Sequence, residues 1–147
     1  MPRLSVKAIL AGVLADFALS VALGILVLFV WGRILVSRGR TQTEIAREIP
    51  ADPTFLLIAL VVGLTSLVAG GFLAGRIAGD NYLLHGALVG GIALFISLLI
   101  GSGTHPAWFK TSSLLLEIPA ATLGAMLARG TRGEPGASPS GENIDLG

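Results

Sequence analysis

The sequence contains no cysteine and few charged residues, and both absences narrow the classes of protein it can belong to. Without cysteine there are no disulfides, no thiolate nucleophile and no cysteine-bound metal. Asp, Glu, Lys and Arg make up 13% of the residues, against roughly 25% in an ordinary soluble domain. The net charge of +1 argues against a nucleic-acid-binding surface. An integral membrane protein is the class that fits this composition.

Hydrophobic residues make up 53% of the chain, and they are gathered into four long runs. The predicted spans cover about residues 8–32, 54–79, 82–103 and 111–129. A helix of about 20 apolar residues crosses a hydrocarbon core of about 30 Å. We therefore predict an all-α fold, an integral membrane bundle of four transmembrane helices within residues 1–129. Residues 130–147 are rich in Gly, Pro and Ser and are predicted to form a disordered C-terminal tail.

The start of the chain allows two interpretations. A short basic flank precedes the first apolar run, and signal peptides begin in the same way. The run is longer than a signal-peptide core, and it is followed by Trp31-Gly32-Arg33 and not by an Ala-x-Ala cleavage site. We therefore expect the first span to remain as a membrane anchor.

The polar connection after the first span contains one helix-start signal. Thr41 and Glu44 have the spacing of a capping box, in which each side chain bonds the backbone N–H of the other residue. Ile45 and Ile49 follow, and Pro50 stops the run. A short amphipathic helix lying at the membrane surface and a solvated loop with a single helical turn both fit this pattern.

Glycines recur at four-residue spacing around the turn between the second and third spans. The predicted helix-packing glycines are Gly71, Gly75 and Gly79 on one helix, and Gly86 and Gly90 on the next. Glycine at this spacing removes the side chains from one ridge, so another helix backbone can approach closely in a membrane. We therefore predict a tight helical hairpin of the glycine-zipper type, with its turn at Asp80-Asn81.

The residues of this hairpin form the motif Gly71-x-x-x-Gly75-Arg76-x-Ala78-Gly79, followed by His85-Gly86-x-x-x-Gly90. This motif resembles the core of certain small four-helix bacterial membrane proteins of unknown function. The resemblance covers roughly residues 55–100. It implies a location in the bacterial plasma (inner) membrane, and it brings no activity with it.

Four spans place both termini on the same side of the membrane. The aromatic residues agree, with Tyr82 at the terminal interface and four others at the opposite one: Trp31, Phe55, Trp108 and Phe109. The cationic residues divide evenly between Arg3, Lys7, Arg76, Arg129 and Arg132 on the terminal side and Arg33, Arg38, Arg40, Arg47 and Lys110 opposite. We expect cytoplasmic termini, because the first short flank usually has the most influence on orientation.

Two carboxyl groups fall inside predicted spans, that of Asp16 in the first and that of Glu117 in the fourth. Asp16 belongs to a row of small or polar residues at four-residue spacing: Ala8, Gly12, Asp16, Ser20 and Gly24. Small residues also lie on the side of Glu117: Ala120, Ala121, Gly124 and Ala125. A carboxylate exposed to lipid costs roughly 2.5–3.5 kcal/mol, so we expect both to face protein. Pro119 predicts a kink beside Glu117.

Asp16 and Glu117 form the candidate intramembrane polar site. At about 1.5 Å per residue they lie within roughly one helical turn of the same depth. If the first and fourth spans are neighbours, the two groups could share a proton. Two roles are open: a site that binds protons or cations, or a pair of groups that hold helices together by hydrogen bonds to Ser20, Ser112 or Ser113.

No other residues indicate chemistry. His85 has no second ligand at metal-binding spacing on its helix, and we expect it to bond Asp80 or the turn backbone; His105 is expected in a loop. We expect no enzyme activity, no catalytic residue, no metal and no cofactor.

Two hypotheses for function follow from these residues. The leading one is a packing or accessory subunit in the lipid bilayer, which self-associates or joins a larger membrane complex. The alternative is a small, dimeric, proton-coupled transporter that uses Asp16 and Glu117. A water-accessible cavity that reaches either carboxyl group would favour the transporter.

Overall fold

The computed structural model describes residues 4–100 and 105–131, which form helices joined by short turns. The helices are α1 (Val6–Ser37), α2 (Gln42–Glu48), α3 (Pro53–Ala78), α4 (Tyr82–Ile100) and α5 (Ala107–Gly130). Short 3-10 turns cover Ile49–Ala51 and Gly79–Asn81. Helices α1, α3, α4 and α5 are long and apolar enough to cross a membrane. The predicted all-α bundle of a multi-pass membrane protein is confirmed.

Two helices extend beyond the predicted spans. Helix α1 covers 32 residues, and α5 begins at Ala107 and continues to Gly130. Hydropathy marks only the apolar part of a helix, whereas the backbone hydrogen bonds continue into the polar interface. Helix α1 is followed by Gly39, whose φ of 79° turns the chain. Residues 101–103 of the third predicted span and residues 132–147 of the predicted tail lie outside the described residues.

The connection between α1 and α3 contains the predicted short helix. The backbone N–H of Thr41 donates to Glu44 Oε2 at 2.8 Å, and the N–H of Glu44 donates to Thr41 Oγ1 at 3.4 Å, which completes the capping box. Bonds from the Thr41 backbone and hydroxyl, with a smaller effect of the Arg40 charge, lower the pKa of Glu44. Arg40 also pairs with Glu48 at 3.1 Å. Attachment of α2 to the membrane surface stays a prediction.

Helix α3 lies at the centre of the bundle. It packs against α1, α4 and α5, and α4 in turn packs against both α1 and α5. Within the described residues, α1 and α5 make no contact with each other. They therefore lie on opposite sides of the α3–α4 pair, and the condition of neighbouring first and fourth spans is not met.

The two ends of the bundle are identified by contacts between helices. At one end, Ser5 bonds His85 of α4, and Arg129 of α5 donates to the Tyr82 hydroxyl at 3.0 Å. We call this the terminal end, because the start of α1 and the end of α5 both lie beside the start of α4 there. At the other end, the loop end, the rings of Trp31 and Phe55 pack at 6.2 Å between centroids.

Close helix packing occupies the half of the bundle near the terminal end. A Cβ on Gly71 would overlap the backbone of Ala121, and one on Gly75 would lie 2.8 Å from the Ala125 Cα. A Cβ on Gly86 would lie 2.6 Å from the Ala125 Cβ. A Cβ on Gly90 would lie 2.7 Å from the Ile118 Cα. Both glycine ridges of the hairpin are therefore filled by α5 of the same chain.

The packing glycines are not the same set as the predicted one. Gly79 lies beyond the helix: α3 ends at Ala78, and Gly79 has a φ of 75° at the start of the turn. Gly79 allows the chain to take a backbone conformation that residues with a side chain rarely adopt. Gly70, which the spacing did not indicate, does belong, because a Cβ there would lie 2.6 Å from the Gly12 carbonyl oxygen. Gly124 likewise meets the backbone of Val68.

Candidate functional site

A cavity of about 660 Å³ lies between α1, α3, α4 and α5. Its walls come from the half of the bundle near the loop end and are mostly apolar. The polar residues that line it are Asp16, Ser20, Ser97, His105, Lys110, Ser113 and Glu117. We call this space the carboxyl cavity. Both carboxyl groups predicted from the sequence thus reach one open space, although their helices do not touch.

Glu117 is the most deeply buried of these polar groups, with 6% of its surface exposed. Its Oε1 accepts a hydrogen bond from the hydroxyl of Ser97 at 2.7 Å. Its Oε2 is buried and has no hydrogen-bond partner in the described part of the chain. An unpartnered buried polar atom costs about 1–3 kcal/mol, and more if it carries charge. Glu117 therefore has one satisfied oxygen and one that lacks a donor.

The partner of Glu117 is not the one expected from the sequence. Ser112 and Ser113 were the expected donors, but the hydroxyl of Ser113 donates to the Phe109 carbonyl at 2.9 Å, one turn back in α5. Ser97 comes from α4, and it is the one polar residue among residues 92–99 of that helix. A single serine in an apolar run of α4 can be recognised in the sequence as a possible hydrogen-bonding residue. Its pairing with Glu117 depends on which helices are neighbours.

Asp16 reaches the cavity from α1 and is half-buried. The hydroxyl of Ser20, one turn further along, donates to Asp16 Oδ1 at 3.4 Å, as expected for this pair. The backbone of Asp16 is held close to α3, since a Cβ on Gly70 would lie 2.8 Å from the Asp16 Cβ. The predicted small-residue row of α1 therefore packs up to Asp16, whereas Gly24 has nothing within 4 Å of a Cβ.

The two carboxyl groups line the same cavity from helices that are not packed together. Asp16 lies on α1 and Glu117 on α5, and these two helices make no contact in the described residues. Pro119 lies inside α5 without ending it, so the helix that carries Glu117 continues to Gly130. Asp16 and Glu117 therefore face the same space from opposite walls.

Two nitrogen-bearing side chains lie towards the loop end of the cavity. Lys110 is in the first turn of α5, and His105 precedes that helix, as expected for a loop residue. The His105 ring packs against Phe109 at 5.3 Å between centroids, and its Nδ1 is buried without a partner in the described residues. Polar groups thus continue from the start of α5 towards Glu117.

His85 lies apart from the cavity, in the packed half of the bundle. It is fully buried, and its Nε2 lies 2.9 Å from the backbone N–H of Ser5. Since that N–H can only donate, Nε2 accepts and Nδ1 carries the proton, which is donated to the Asn81 carbonyl at 2.8 Å. The expected bond to the turn backbone is present. The bond to the start of α1 was not foreseen, because it joins residues far apart in the sequence.

No family model, curated protein or solved structure matches this chain. The resemblance of the hairpin to small four-helix bacterial membrane proteins stays a prediction. The features that bear on function are the unpartnered oxygen of Glu117, the facing carboxyl group of Asp16 and the apolar walls around them.

Proposed function

We propose that this membrane protein is a small transporter, which exchanges a solute for protons at Asp16 and Glu117. The observation that carries the proposal is the buried carboxyl group of Glu117, with one unpartnered oxygen, at the wall of a cavity of about 660 Å³. The bond from Ser97 joins α5 to α4 through one oxygen only, so the second oxygen is left for a proton or a solute. Intramembrane carboxyl groups are functional candidates because lipid makes them costly.

The cavity also supports transport over a packing or accessory role. That role was suggested by glycine ridges open to a second protein, but α5 fills the ridges at Gly71, Gly75, Gly86 and Gly90. Assembly with a second copy or with a larger membrane complex is therefore a separate proposal that needs another surface.

We propose no enzyme activity and no cofactor. The polar wall of the cavity carries carboxyl groups, hydroxyl groups, one lysine and one histidine. The hydroxyl of Ser113 is bonded to a backbone carbonyl and not to a base, so it lacks the activation that a nucleophile needs.

We place the protein in the bacterial plasma membrane with cytoplasmic termini. The hairpin motif supports the location, and the short basic flank before α1 supports the orientation. The loop end of the cavity, with His105 and Lys110, then faces away from the cytoplasm. Reporter fusions after Arg40 and after Arg132 should report opposite compartments, and matching reports would overturn the topology.

Uptake into vesicles tests the transport proposal. The purified full-length protein is reconstituted, a pH gradient is imposed in either direction, and a mixture of organic ammonium ions, carboxylates, amino acids and sugars is offered. We expect mass spectrometry to find one class of solute accumulated above the level of protein-free vesicles. Asp16→Asn combined with Glu117→Gln should abolish the accumulation.

Glu48→Gln is the matched control, because Glu48 lies in α2, outside the cavity. It should leave the uptake unchanged. Equal uptake by empty vesicles, or by the doubly substituted protein, would overturn the transport proposal.

A further inference from the structure

We infer that the solute of the carboxyl cavity is a protonated amine with an apolar body, whose N–H group donates to Glu117 Oε2. This inference rests on the proposed transport function and names its substrate class. The starting point is the unpartnered Oε2, which lies buried at the cavity wall. Because Ser97 already donates to Oε1 at 2.7 Å, the group that completes this site must be a donor for Oε2.

Two states of Oε2 neutralise the buried carboxylate, and they exclude each other. In the empty cavity Oε2 carries the carboxyl proton, so the group is uncharged. In the occupied cavity Oε2 is ionised and accepts a hydrogen bond from the N–H of the ammonium ion, which brings its own positive charge. Binding then breaks the O–H bond of Glu117, the proton leaves to water, and one positive charge enters as one leaves. Binding of one ammonium ion is thus coupled to the release of one proton, and no other reactant is needed.

The charges around the cavity favour a cation over an anion or a neutral solute. The titratable residues that line it are Asp16 and Glu117 deep inside, with His105 and Lys110 towards the loop end; α3 and α4 contribute none. An anion would face two carboxyl groups at the inner site. A neutral solute would leave Glu117 protonated, since ionisation without a cation nearby is costly at low dielectric, so its binding would release no proton.

The apolar walls determine the rest of the solute. A volume of about 660 Å³ lies within the roughly 300–1,000 Å³ of small-molecule sites. Phe17 and Phe109 line the cavity, and aromatic faces attract cations as well as apolar groups. Leu14 and Leu98 line it too, and more than half of each residue's surface is exposed. The walls are thus open and apolar, and they suit an apolar body.

Three probes of similar shape separate the contribution of the positive charge to binding from that of the N–H donor. Dibenzylamine is protonated and has N–H groups, dibenzyldimethylammonium has the charge without a donor, and dibenzyl ether has neither. Calorimetry on the full-length protein in detergent measures the affinity of each. Loss of one charge-assisted hydrogen bond weakens binding by about tenfold or more, so we expect the amine to bind most tightly. Equal binding of the quaternary ion or of the ether overturns the inference.

Proton release gives a second readout of the same step. Calorimetry of the amine in buffers of different ionisation enthalpy, over a series of pH values, should reach a maximum of about one proton released per amine bound. Glu117→Gln should abolish the release, and Glu48→Gln should keep it. Release that persists in Glu117→Gln overturns the inference. If that variant does not fold, the comparison of the three probes on the unchanged protein still decides.

The outcome is separable from that of the transport proposal. If vesicles accumulate another class of solute in a manner that needs Asp16 and Glu117, transport holds and the amine is wrong. If amines bind without any solute being accumulated, the cavity is a binding site and the transport proposal is wrong. If none of the three probes binds, the amine is rejected.

Discussion

The helices pack closely in the terminal half of the bundle and lie further apart in the loop half. In the terminal half, α5 meets α3 and α4 through backbone atoms, because glycines such as Gly71 and Gly86 leave no side chain between them. In the loop half, the same helices and α1 line an open cavity of about 660 Å³. Gly63 on α3 illustrates the change, since nothing lies within 4 Å of a Cβ built there.

This difference indicates which part of the molecule can accommodate a solute. Backbone packing in the terminal half gives a side chain no room, and His85 ties the start of α1 to α4 there. In the loop half, Asp16 and Glu117 are held on opposite walls with open space between them. A membrane protein this small can therefore combine a firmly packed half with a half that holds a site.

The largest effect on stability is expected at Gly71. Gly71→Ala places a methyl group against the backbone of Ala121, so α3 and α5 must move apart. Overpacking of this kind costs about 1–3 kcal/mol. The measurement is the free energy of unfolding in detergent micelles.

Gly63→Ala is the matched control on the same helix, because its methyl group meets empty space and Ala favours the helix by roughly 1 kcal/mol. It should be neutral or stabilising. If the two substitutions were equally harmful, the contrast between a packed half and an open half would be wrong.

Local signals in the sequence were sufficient to predict where the helices lie. Each span is a run of apolar residues, and α2 begins at a capping box formed by Thr41 and Glu44, three positions apart. The hairpin glycines followed from spacing, but Gly79 shared that spacing and serves the turn instead. Spacing alone does not distinguish a packing glycine from a turn glycine where both lie near a helix end.

The site could be predicted only in part. Asp16 and Glu117 were evident because charge is rare inside apolar runs. The pairing of Glu117 with Ser97 and the cavity itself were not evident, because both depend on which helices are neighbours. The diagonal positions of α1 and α5 depend in turn on small residues that let α5 pack against α3 and α4. No local signal in the sequence shows which helices become neighbours.

A smaller effect is expected at His85, the buried polar link in the packed half. His85→Leu keeps an apolar volume but removes the acceptor for the Ser5 N–H and the donor to the Asn81 carbonyl. We expect a loss of about 1–2 kcal/mol in the same unfolding measurement.

Ser66→Ala is the comparison for His85. Ser66 is also fully buried, but its hydroxyl donates to the Val62 carbonyl in its own helix and links no second helix. It should change stability less than His85→Leu does. The reverse order would mean that the bond between α1 and α4 does not stabilise the packed half.

The smallest effect concerns Glu44, outside the bundle, where stability is purely local. The folded-state pKa of Glu44 lies below its ordinary value of 4.5, chiefly because the Thr41 backbone N–H donates to it. The ionised carboxylate therefore stabilises α2 above that ordinary value, and the contribution is lost as the pH falls through the folded-state pKa. Amide-exchange protection over Gln42–Glu48 should decrease in acid, with no change in unfolding of the bundle.

Glu44→Gln should remove the acid dependence, because Gln also completes a capping box and does not titrate. Thr41→Val should reduce protection at every pH, and an acid dependence that survives in Glu44→Gln would assign it to another group.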